Sequence, residues 1–105
     1  MAQFEVYRNL SKSSKDAYPF LVDIQHSVLS DLSTRLVVPL AKSNQGNSLA
    51  IKKLTPEIDF DGVSYVFLPQ QITTVPIDTL KVAVGTLVES RVILIDAIDF
   101  AITGF

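Results

Sequence analysis

The spacing of apolar residues changes once along the chain, near Thr86, and that change restricts the fold more than any other feature of the sequence. Before it, apolar runs are short, rich in β-branched and aromatic residues, and separated by turn-forming residues, which is the pattern of strands. After it, Leu87, Leu94, Ile95, Ala97, Ile98, Ala101 and Ile102 recur at helical spacing, predicting one helix from about residue 86 to about residue 102. The expectation is a mainly β chain of five to seven strands with a C-terminal α-helix.

The strands are placed by local chemistry. Phe4 and Val6 alternate with Gln3 and Glu5, the period of a half-buried strand over residues 3–7. Residues 8–16 are polar and read as a turn or hairpin loop. Residues 18–24 are aromatic and β-branched, and Pro19 suits a strand start because it lacks a ladder donor. Residues 27–33 read as a loop with apolar anchors. Residues 34–41 have the continuous apolar centre of a buried strand, in which Pro39 predicts a bulge or an edge. Residues 42–48 predict an exposed loop and are the best candidate for disorder. Residues 54–59 and 63–68 flank Phe60, Asp61 and Gly62, and Asp-Gly between two β-rich runs signals a tight hairpin. Residues 72–77 add a short extended segment, with Val75 biased away from helix by Pro76.

On a helical projection Glu89, Asp96, Asp99 and Thr103 gather into one polar stripe, and apolar side chains cover most of the rest. One side can lie on the sheet, leaving the remainder for a dimer mate or partner. Phe100 is expected in the core, whereas Thr103 and Gly104 end the helix and swing Phe105 away from it. Termini usually fray unless something ties them down, so Ile102, Thr103, Gly104 and Phe105 are expected to dock inside the fold or on a partner. Composition agrees: 48% of the 105 residues are hydrophobic and 19% charged, with a mean hydropathy of +0.33. That is a surplus of apolar surface for one small domain spanning residues 1–105.

The same sequence argues against several kinds of chemistry. A net charge of -2 lacks the basic face of a direct nucleic-acid binder. The absence of cysteine leaves no thiolate metal site or cysteine nucleophile and fits a reducing compartment. No secretory signal or membrane-length apolar run is evident, so a cytoplasmic protein without membrane contact is expected. His26 is the single histidine and is read as structural or superficial. Asp96 and Asp99 share a helix face as a solvated stripe, and Asp59 and Asp61 beside Gly62 lack the further oxygen ligands of a calcium loop. Arg35 and Arg91 are read as surface ion-pair formers, although either has the charge to meet an acidic partner. The scattered glycines form no phosphate loop, and no cofactor or metal is indicated.

Phe4 to Tyr7, Tyr18 to Gln25, Thr34 to Ala41, Thr73 to Ile77 and Ala97 to Phe105 together resemble, in order and over the full length, the CcdB family of bacterial toxins. The resemblance implies an SH3-like antiparallel β-barrel with a C-terminal helix, the CcdB/MazF-like toxin fold. It also implies a homodimer belonging to a two-gene toxin–antitoxin module. CcdB-type toxins are binding proteins rather than enzymes. They engage the A subunit of DNA gyrase and trap its cleaved DNA complex, and a largely disordered CcdA-like antitoxin neutralises them. Contact with DNA is therefore indirect, through gyrase or the antitoxin complex, whose association also implies autoregulation of transcription. The family's gyrase contact maps onto Thr103, Gly104 and Phe105, with Asp99 and Ile102 one turn earlier and Val28 and Leu29 after the second strand. The chain departs from the family pattern in ending on phenylalanine rather than isoleucine, and in placing Thr103 before the glycine where some relatives have an aromatic. Two other classes fit the same barrel: a MazF-like ribonuclease, and an inactive relative that only binds antitoxin.

Overall fold

The computed structural model describes residues 2–26, 32–43 and 55–104. Its strands are β1 (Glu5–Arg8), β2 (Phe20–Asp23), β3 (Thr34–Lys42), β4 (Glu57–Phe60), β5 (Val63–Phe67), β6 (Thr73–Pro76) and β7 (Ala83–Thr86), followed by helix α1 (Arg91–Thr103). All seven strands form one antiparallel sheet in the order β4-β5-β3-β2-β1-β7, with β6 paired to β3 off this path. The sheet curls into a half-barrel. Its two ends approach where Phe60 of β4 lies over Gly85 of β7, so closely that a Cβ on Gly85 would stand 2.5 Å from the Phe60 ring. Phe60 is held there by edge-on contact with Phe20, which also meets Tyr65 edge-on.

The hairpin forms as its turn residues dictate. Asp61 and Gly62 both have positive φ, 53° and 79°, and make a two-residue turn that pairs Phe60 with Val63. Such a turn follows the natural twist of the flanking strands.

Pro39 lies neither at an edge nor at a break in the β2–β3 ladder, where it stands opposite Leu21. The other side of β3 pairs with β6 through residues 34–37 and with β5 through residues 40–42. Pro39 occupies the gap between them, and its carbonyl accepts a bond of 3.2 Å from the Leu68 N–H. An antiparallel residue presents its N–H and C=O to the same side. The missing donor therefore faces a joint between two partner strands and costs the ladder nothing.

The apolar centre of β3 serves two cores. Val38 and Leu40 join Phe4, Val6, Val22 and Phe67 in the main cluster, while Val37 joins Tyr7 and Leu80 in a second cluster that Leu21, Val75 and Ala83 flank. Alternate residues pointing to opposite covered faces give a run with no polar interruption. Helix α1 closes the main cluster with fully buried Leu94 and Ala97.

The helix begins at Arg91, five residues later than its spacing suggested. Thr86 ends β7, and the Leu87 N–H donates to the Phe4 carbonyl at 2.8 Å, carrying strand pairing one residue further. A single 3-10 turn over Val88–Ser90 then leads into α1. Strand β7 was itself absent from the sequence reading. Phe100 is half-buried rather than enclosed. The loop expected over residues 42–48 falls largely outside the described residues.

Candidate functional site

The C-terminal end of α1 projects from the molecule. Packing of the helix rests on Leu94 and Ala97, with Ile95 and Ile98 partly buried against the same core. Beyond Phe100 every described side chain is exposed, and Ile102 is 73% exposed. Docking inside the fold is thus excluded for Ile102, Thr103 and Gly104. Gly104 terminates the helix in the left-handed region, φ 80°, with its N–H bonded to the Phe100 carbonyl at 2.9 Å. A side chain there would meet nothing within 4 Å. The demand for glycine within the chain is therefore conformational, a helix stop that needs positive φ. Thr103 Oγ1 donates to the Asp99 carbonyl at 2.8 Å, tightening the last turn. Asp96 and Asp99 are exposed on the outward face, as the projected polar stripe required.

The structure thus brings Asp99, Ile102, Thr103 and Gly104 together in one exposed patch. Phe105, Val28 and Leu29 lie outside the described residues.

A second arrangement concerns Arg35, which is not superficial. It is wholly buried and pairs with equally buried Asp23, Nη2 lying 2.7 Å and Nε 3.0 Å from Oδ2. Asp23 Oδ1 accepts the Gln25 N–H at 3.0 Å, and Gln25 Oε1 accepts the Leu36 N–H at 3.1 Å. Among the described residues Arg35 Nη1, which is buried, has no acceptor. The pair ties the end of β2 to the start of β3. Its sequence signal was one charge inside each of two neighbouring apolar strands, residue types almost never buried unless paired.

Tyr7 lies near this pair, on the second core. Its hydroxyl donates to Glu5 Oε1 at 3.1 Å, and burial, then the Glu5 carboxylate, pushes its pKa up to about 12. His26 is exposed and Arg91 is exposed at the start of α1. Among the described residues no group of three His, Asp or Glu side chains converges as a metal site would require, and no helix is long and apolar enough to cross a membrane.

Seven antiparallel strands curled into a half-barrel and covered by a C-terminal helix, whose described end is exposed, define a small β-barrel protein with a C-terminal helix. Residues 3–104 match the family described as CcdB protein, nearly the whole chain, and the chain belongs to that family. It is accordingly a toxin of the toxin–antitoxin type, in a family of non-enzymatic toxins. No curated protein gave a significant match.

Proposed function

We propose that this toxin binds the A subunit of DNA gyrase through the end of α1 and traps the gyrase–DNA cleavage complex, and that a CcdA-like, partly disordered antitoxin neutralises it. The toxin acts in the cytoplasm as a homodimer and meets DNA only through gyrase or the antitoxin complex. Thr103, Gly104 and Phe105 form the contact, with Asp99 and Ile102 one turn earlier, and Val28 and Leu29 contribute to it.

One observation carries the reading: the described part of the helix end that family resemblance assigns to gyrase is exposed. Ile102 is 73% exposed, and Thr103 and Gly104 are exposed after it. Exposed large apolar side chains at a helix end are the raw material of an interface anchor.

Induced expression tests this. The full chain arrests growth, and deletion of residues 103–105 abolishes arrest. The purified deletion variant is expected to keep its circular dichroism spectrum and cooperative melting, because Thr103 and Gly104 are exposed and the helix packs through Leu94 and Ala97. Growth arrest that persists after the deletion sinks the assignment. Loss of folding sinks the division between a core-packed helix and an exposed end.

A further inference from the structure

Away from α1, three exposed apolar side chains stand together: Leu10 is 54% exposed, Val82 75% and Val84 39%. With Arg8 and Lys81 they line a cleft of about 190 Å³ where the end of β1 meets the start of β7. Single exposed apolar residues are ordinary on a protein surface, whereas a group of them around one hollow marks a contact site.

The polar side of the cleft is wholly cationic. The Arg8 guanidinium lies over the Phe20 ring, 5.8 Å from its centroid, which holds the charge in place beside the cleft. Among the described residues neither Arg8 nor Lys81 forms an ion pair, and that interaction is made by Arg35 and Asp23 instead. No acidic residue lines the cleft. Asp78, three positions before Lys81, lines the neighbouring hollow over Leu21 and Val75. At about 30 Å³ for each water, the cleft holds about six. That is room for a short alkyl chain, and it falls below the roughly 300–1,000 Å³ of a site for a drug-sized ligand.

We propose that this cleft binds a small aliphatic carboxylate about six carbons long, its carboxylate between Arg8 and Lys81 and its alkyl chain against Leu10, Val82 and Val84. Each part of the lining selects one part of the ligand. An inorganic anion meets the two cations and leaves the valines and the leucine wet. A neutral alcohol covers the apolar residues and offers the two cations no charge in exchange for their water. An alkylammonium meets like charge. An aliphatic carboxylate satisfies both sides through charge-assisted hydrogen bonds and apolar contact. None of the five lining residues belongs to α1 or to its exposed end, so the site stands or falls independently of the gyrase reading.

The full chain, labelled at leucine and valine methyl groups, is titrated separately with acetate, butanoate, hexanoate and hexylammonium at neutral pH and followed by NMR. Hexanoate is expected to shift Leu10, Val82 and Val84. Affinity should rise by about two- to four-fold for each methylene added from acetate to hexanoate, and hexylammonium should bind at least about ten-fold more weakly than hexanoate. Lys81→Ala is expected to weaken hexanoate binding about ten-fold and Val82→Ser about three-fold. Both positions are exposed, so both variants should keep the wild-type melting midpoint. The chain-length and charge comparisons use the wild-type chain alone, so they decide the matter even if a variant melts early. Hexanoate shifts confined to other residues, hexylammonium binding as tightly as hexanoate, acetate binding as tightly as hexanoate, or unchanged hexanoate affinity in folded Lys81→Ala would each overturn the proposal.

Discussion

Removing one member of the buried Asp23–Arg35 pair should be the most damaging single charge change in the described structure. Both side chains are fully buried and joined by two hydrogen bonds to one carboxylate oxygen. Arg35→Met strands a carboxylate in the interior, and Asp23→Asn strands a guanidinium with one nitrogen that has no acceptor among the described residues. Breaking a buried pair from one side costs about 3–5 kcal/mol, a large part of the roughly 5–15 kcal/mol that stabilises a domain of this kind. At about 4 °C per kcal/mol for a chain of this size, melting should fall by about 12–20 °C. The double variant removes both charges, while the asparagine can still accept the Gln25 N–H that Asp23 Oδ1 accepts at 3.0 Å. It should cost about 1–3 kcal/mol, the scale of an imperfectly satisfied buried amide, and be more stable than either single variant. Denaturant unfolding of all four proteins measures the cycle. Additive losses, or single variants that lose less than about 1 kcal/mol, would refute the claim that the charges are held against desolvation by each other.

Three further outcomes follow from local geometry. Gly85→Ala should destabilise by about 1–3 kcal/mol, since its Cβ would stand 2.5 Å from Phe60. Phe60→Leu should recover part of that loss in a denaturation series, and full additivity would contradict the contact. Gly62→Ala meets no atom within 4 Å but holds φ at 79°, so it should cost about 1 kcal/mol through backbone strain alone; an unchanged midpoint argues against the turn. Tyr7 has its pKa raised to about 12 from the usual 10.0. Between those values the unfolded chain has released a proton that the folded chain keeps, so stability is complete below about pH 10 and falls as pH rises toward 12. The slope is at most about 1.4 kcal/mol per pH unit. Tyr7→Phe should abolish that component, and an unaltered alkaline melting profile would show that Tyr7 does not cause it.

What was readable in the sequence was what local chemistry determines. Asp61 and Gly62 specify their own turn, and residues 34–41 declare a strand covered on both faces. Strand β7 was not readable because its residues, Ala83, Val84, Gly85 and Thr86, are small or weakly patterned. They become a strand through β1 on one side and the Phe60 ring over Gly85, contacts distant in sequence. The late start of α1 has the same origin, since the Phe4 carbonyl holds Leu87 in strand geometry. Arg35 was misread because only folding brings Asp23 within reach. Pro39 was understood as a lost hydrogen bond, but the joint between β5 and β6 that makes the loss harmless belongs to topology. At the candidate site, helical spacing was enough to place Asp99 and Thr103 on the polar side, but it grouped Ile102 with the apolar face, and only the packing of the helix through Leu94 and Ala97 leaves Ile102 exposed. The choice of gyrase as their target came from resemblance, because an exposed apolar helix end records that something binds and not what.

Gyrase-mediated DNA cleavage with the purified protein, run beside the variant lacking residues 103–105, tests the central claim most directly. The account predicts that the full chain makes cleaved DNA accumulate with purified gyrase and that the folded deletion variant does not. Equal accumulation with both proteins, or none with the full chain, would contradict it.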